Sequence, residues 1–138
     1  MHSSPDDELL EAASRKTALL LIAHGSREEN ANADLYEMVE HLRKQKRYAI
    51  VEASFLELAQ PDIAEGGKRC VERGAERVIL LPYFLSAGVH VTRDLTQACR
   101  TMAAQHPGIA FRLAEPLGRH PLLLQIITER ARAAENQF

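Results

Sequence analysis

Two histidines and a glutamate, far apart in the chain, are the residues best suited to chemistry: His24 in AHGSRE, Glu57 in SFLELAQ and His90 in SAGVHV. Neutral imidazoles ligate borderline divalent metals and move protons near neutral pH, and a carboxylate can do either job through oxygen. With coordination positions left open, the set matches a site for Co²⁺, Fe²⁺, Ni²⁺ or Zn²⁺. The pattern itself names neither the metal nor the reaction. Each residue also has a plain reading: His24 as a capping or surface group, His90 as loop polarity, Glu57 as a solvated strand end. Gly25 and Ser26 tilt the first towards a ligand-facing turn, because Gly permits close backbone approach and Ser offers a donor at a helix start. His41, on an exposed helix side, and His106, at a helix end, read as structural. His120 precedes Pro121 and could reach the same rim.

The elements around these residues explain how they could meet. Thr17–Ala23 is an apolar run with no alternation, as expected of a strand covered on both faces. Glu28–Lys46 places Leu35, Met38, Val39 and Leu42 at helical spacing. Ala49–Leu56 reads as a second strand, and Pro61–Arg73 as a helix opened by proline and stopped by Gly74. A third strand spans Glu76–Leu85, with an irregular end near Pro82, which lacks a ladder donor. Ser86–Val91 is then a loop carrying His90, and Thr92–Gln105 a helix ended by His106-Pro107-Gly108. Ile109–Leu113 is a short fourth strand, followed by a last helix from Pro121 to roughly Ala134.

Strands alternating with helices at this spacing imply parallel pairing and right-handed crossovers, hence a three-layer α/β/α sandwich with a four-stranded parallel sheet. In a flavodoxin-like order, 2-1-3-4, the first and third strands flank the point where the winding reverses, and ligands bind outside the strands' carboxyl ends. His24 and His90 follow those two strands, and Glu57 follows the second, next to the first.

At 138 residues, 46% hydrophobic and 26% charged, the chain suits one domain over residues 17–138, preceded by a polar leader at 1–16 with a short helical possibility around Asp6–Ser14. A formal net charge of −2 without a basic block argues against nucleic acid or an acidic membrane as a partner. Neither a signal-type apolar run nor a stretch long enough to span a bilayer is seen, so a cytoplasmic location is expected. Cys70 and Cys99, at apolar helical positions, read as buried free thiols of a reducing compartment.

The motifs HGSR after the first strand, Glu57 in SFLELAQPDI, and LPYFLSAGVHVTRDL closely resemble those of the class II tetrapyrrole chelatases, nearest to the small single-domain sirohydrochlorin chelatases of the cobalamin and siroheme pathways. The likeness runs from about Thr17 to Leu124 and includes the Pro116-Leu117-Gly118 to His120-Pro121 stretch. It implies a metal chelatase (a lyase) that inserts Co²⁺ or Fe²⁺ into sirohydrochlorin, the metal being a substrate, with no ATP and no redox cofactor. His24 and His90 would be the metal-handling pair and Glu57 their acidic partner. Where the family commonly has Asp-Ile-Pro, this chain has Asp94-Leu95-Thr96, which leaves the start of that helix open.

Sirohydrochlorin carries many carboxylates, so Arg27, Arg93 and Arg119 are candidate contacts, together with Ser26, Ser86 and Gly88 in the turns beside the two histidines. Likeness to one half of longer two-lobed chelatases implies a homodimer, with Tyr83, Phe84, Leu85 and Val89 as candidates for a shared apolar wall. Two other functions fit part of the pattern. One is a metal- or tetrapyrrole-carrying module without turnover; the other is a histidine-phosphatase-like phosphotransfer site, whose arginine before the histidine is Ala23 here.

Overall fold

The computed structural model describes residues 17–138. The leader at 1–16, with its helical possibility around Asp6–Ser14, lies outside them. Four strands, β1 (Thr17–Ala23), β2 (Ile50–Phe55), β3 (Arg77–Pro82) and β4 (Ala110–Leu113), alternate with four helices, α1 (Glu29–Gln45), α2 (Ile63–Glu72), α3 (Val89–Gln105) and α4 (Leu122–Glu135). All strand pairs are parallel and the sheet order is β2-β1-β3-β4, as expected from the alternation.

The two-residue period of β1 divides the core. Ala18, Leu20 and Ile22 face a cluster with Cys70 of α2 and Leu95 and Met102 of α3. Leu19 and Leu21 face the other way, joining Val51, Ala53 and Phe55 of β2 against Leu35 and Val39 of α1. Each buried leucine or isoleucine of this central strand contributes about 1.5–3 kcal/mol of transfer free energy. The register sets β1 and β3 level at their carboxyl ends, with Ile22 opposite Pro82, so the loops that follow leave the sheet side by side.

Several boundaries differ from the sequence reading. Helix α2 starts at Ile63 instead of Pro61, because the Asp62 carboxylate accepts the Glu65 N–H at 2.9 Å and so acts as the cap. The third strand stops at Pro82, three residues early: Tyr83 N–H still donates to the Ile22 carbonyl at 2.7 Å, but the Phe84 carbonyl turns to the Leu117 N–H at 3.0 Å. The largest change is at Ser86–Val91, expected as a loop. Gly88 is extended and caps a helix that already runs from Val89, with the Thr92 N–H donating to the Gly88 carbonyl at 3.0 Å. His90 therefore lies in the first turn of α3. Of the two thiols, Cys70 is fully buried and desolvation pushes it up to about 12, whereas Cys99 is only half-buried.

Helix α4 is unlike the other three. None of its residues is buried, and Leu122, Leu124, Ile126 and Ile127 are exposed. Meanwhile α1 packs on β1 and β2, leaving Ile79 and Leu81 of β3 half-buried on that face.

Candidate metal-handling rim

The rim at the carboxyl ends of the strands is made of two tied pairs of loops. After β1 and β2 the ladder continues past the strands: Leu56 N–H donates to the Ala23 carbonyl at 2.9 Å and Glu57 N–H to the His24 carbonyl at 3.1 Å. Gly25, at φ +94°, lies so close to this connection that a Cβ there would sit 1.8 Å from the Glu57 carbonyl oxygen. Only glycine fits, by both conformation and space. The backbones of His24 and Glu57 are thus hydrogen-bonded neighbours, and both side chains are exposed on the rim.

The loops after β3 and β4 are tied in the same manner. Leu117 N–H donates to the Phe84 carbonyl, and a Cβ on Gly118 would lie 1.9 Å from the Leu85 carbonyl oxygen. Between the two pairs one side-chain contact bridges the crevice: the rings of His24 and Phe84 stack, with centroids 4.4 Å apart and planes inclined by 30°.

His24 and His90 come from the two elements that flank the switch in strand order, His24 from the turn after β1 and His90 from the opening of α3 after β3. Among the described residues neither imidazole, nor the Glu57 carboxylate, hydrogen-bonds to a protein group, so their donor atoms are free for a ligand. The three are not gathered into a finished cage: among the described residues no three His, Cys, Asp or Glu side chains stand close enough to hold a metal ion.

The remaining candidates divide. Ser26 is occupied locally: its hydroxyl accepts the Glu28 N–H at 3.1 Å, and its own N–H and carbonyl are held by the Asn32 side-chain amide at 2.9 and 2.8 Å. Its expected contact with substrate competes with this turn-forming role. Asn32 itself escaped the sequence reading, since an Asn four residues into a helix carries no local mark of a partner six residues back. It also lines a depression of about 260 Å³ beside His24, Gly25 and Tyr83. Gly88 serves as the extended cap of α3, and Ser86 is exposed just before it. Arg27, Arg93 and Arg119 are all exposed, and no ion pair with an acid engages any of them among the described residues. Arg119, at φ +63°, lines a second depression of about 470 Å³ in the Glu115–Pro121 loop. His120 there accepts the Leu122 N–H on Nδ1 at 3.1 Å, a capping role at the start of α4. His41 faces Glu37 across 3.8 Å on the exposed side of α1, and the His106 ring lies against Phe111, so both are accounted for structurally. Of the expected apolar wall, Leu85 and Val89 are exposed while Tyr83 and Phe84 turn inward and are half-buried.

Comparison with known proteins places this rim in context. Residues 18–134 match the family model described as CbiX. The sirohydrochlorin cobaltochelatase of Priestia megaterium is 40% identical over 124 residues, covering 90% of this chain and 40% of that protein. The chloroplastic sirohydrochlorin ferrochelatase of Arabidopsis thaliana is 36% identical over 112 residues, covering 81% and 50%. The crystal structure of the sirohydrochlorin chelatase SirB from Bacillus subtilis subspecies spizizenii in complex with cobalt matches with a TM-score of 0.78 at 27% identity, covering 86% of this chain and 50% of that one. This chain spans half, or less than half, of the length of these relatives.

Proposed function

This chain belongs to the CbiX family, and from that premise we propose that it is a metal chelatase whose substrates are a divalent metal, Co²⁺ or Fe²⁺, and sirohydrochlorin. The observation that carries the reading is the pairing of two free imidazoles, His24 and His90, on the elements that flank the switch point of the sheet. Inserting M²⁺ into the free base forms metal–nitrogen bonds and releases two pyrrole protons. The imidazoles take water's place on the incoming metal and give it up to the macrocycle's nitrogens, while the Glu57 carboxylate accepts one of the two pyrrole protons and solvent takes the other. Arg27, Arg93 and Arg119, without acidic partners among the described residues, supply cations for the macrocycle's carboxylates. Neither ATP nor a redox cofactor enters the reaction as written.

The domain at residues 17–138 works as a homodimer in this reading, in the cytoplasm. Among the described residues no helix is long and apolar enough to cross a membrane. The exposed apolar residues of α4, together with Leu85 and Val89 on the rim, supply apolar surface for a second copy, in keeping with relatives about twice as long. Sedimentation at micromolar concentration tests this part: a dimer is expected, and a monomer with full activity would defeat it.

Mixing the protein with Co²⁺ or Fe²⁺ and sirohydrochlorin, and following the macrocycle's absorption, tests the activity. Catalytic turnover is expected with at least one metal. Stoichiometric binding of both partners without turnover would make the chain a carrier and overturn the proposal.

A further inference from the structure

The His24 ring has no hydrogen bond to fix it among the described residues. Metal-ligating histidines ordinarily donate their second ring N–H to a carboxylate or carbonyl, which sets ring orientation and raises basicity. Here the ring's stacking on Phe84, 4.4 Å between centroids, takes the place of that bond. Phe84 is in turn well held. The preceding residue is tied to β1 by the Tyr83 N–H to Ile22 carbonyl bond, the Phe84 carbonyl accepts from Leu117, and its side chain packs against the core cluster beneath α2 and α3.

Resting on the chelatase reading above, we propose that Phe84 is the positioning residue of His24: its ring fixes the plane of the imidazole from the face and leaves both nitrogens free at the edge. The geometry separates two requirements that a hydrogen bond would join. Ligand bonds to an imidazole lie in the ring plane, so a partner stacked on the face restricts rotation about the side-chain torsions without occupying either nitrogen. A hydrogen-bonded partner would also lock one tautomer and strengthen the metal bond. A stacked partner orients the ligand and leaves its metal affinity moderate, which suits a group that must hand its metal on. Because Phe84 belongs to the loop pair after β3 and β4, the contact also ties the position of His24 to the side of the rim that carries His90.

The test compares wild type with Phe84→Leu, which keeps apolar volume but removes the ring, and Phe84→Tyr, which restores it. Three readouts are taken: the ring-proton NMR shifts of His24, the Co²⁺ dissociation constant, and kcat and KM for insertion. In wild type the His24 ring protons should be displaced upfield relative to those of the exposed His41. Phe84→Leu should abolish that displacement, weaken Co²⁺ binding about 10- to 100-fold and lower kcat with little change in KM for sirohydrochlorin, and Phe84→Tyr should recover all three. Unchanged His24 shifts and Co²⁺ affinity in Phe84→Leu, or a loss that Phe84→Tyr fails to recover, would overturn the proposal. Should Phe84→Leu not fold, Phe84→Met is judged by the same readouts. The NMR and Co²⁺ measurements decide the role of Phe84 even if the wild type inserts no metal, an outcome that would count against the chelatase reading instead.

Discussion

The two loop pairs of the rim are built alike and used differently. In the pair after β1 and β2, the residues whose backbones are tied, His24 and Glu57, are themselves the chemical candidates. In the pair after β3 and β4 the tied residues are Phe84, Leu85, Leu117 and Gly118, and the histidine stands beyond them, on the first turn of α3. The first pair places its candidate side chains by extending strand register two residues past the sheet. The second fixes an aromatic platform and leaves the placement of His90 to a helix. A site assembled from such halves would have one donor set by strand register and one set by α3, with the stacking of His24 on Phe84 as the link between them.

If both halves are needed, His24→Ala and His90→Ala should each reduce metal insertion to the uncatalysed level while leaving the fold intact, because both side chains are exposed. Turnover assays with circular dichroism as the folding control check this. Wild-type rates from either variant would break the comparison, leaving one half of the rim as scaffold.

Glu57→Gln sharpens it. Glu57 shares its clamp with His24, yet β2 lies one position outside the switch point, so a role on protons is expected of its carboxylate before one as a primary ligand. The amide keeps shape and removes basicity. Insertion should fall by roughly 10²-fold, as for loss of a general base, with Co²⁺ affinity little changed by titration. A matched loss of affinity and rate would make Glu57 a primary ligand.

Much of this arrangement was legible in the sequence, because buried parallel strands leave unbroken apolar runs and the turns after them are short and polar. The run at Thr17–Ala23 and the turn at His24 followed from that, and the order 2-1-3-4 from the flavodoxin-like arrangement that such an alternation suits. The start of α3 did not. Val89 and Val91 are β-branched and follow a glycine, which locally favours extended chain, and the cap formed by Gly88 overrides that preference. The stacking of His24 on Phe84 is a contact between loops sixty residues apart, and no spacing rule marks it. Nor did periodicity reveal that α4 keeps Leu122, Leu124, Ile126 and Ile127 exposed, since an apolar helix reads the same whether it covers its own sheet or another surface.

The smallest expected difference lies between the two glycines. Gly25→Ala and Gly118→Ala each drive a Cβ to within 1.8 or 1.9 Å of a backbone carbonyl oxygen on the neighbouring loop, so each must part its pair of loops. That cost should be similar in the two variants, since the contact is with backbone in both and cannot be relieved by a side-chain rotation. Gly25 bears a second cost. Its φ of +94° lies where an alanine is strained, whereas Gly118 is not among the positive-φ glycines. The strain of a non-glycine residue held in that region adds about 1–2 kcal/mol. Urea unfolding should therefore find both variants less stable than wild type and Gly25→Ala the less stable of the two by about that amount. Gly25→Ala should also lower insertion more, because the backbone it displaces carries His24 and Glu57 directly, while parting the second pair reaches His24 only through Phe84. Equal stability and equal activity in the two variants would mean that the first clamp holds its residues no more tightly than the second, and that strand register is not what places His24.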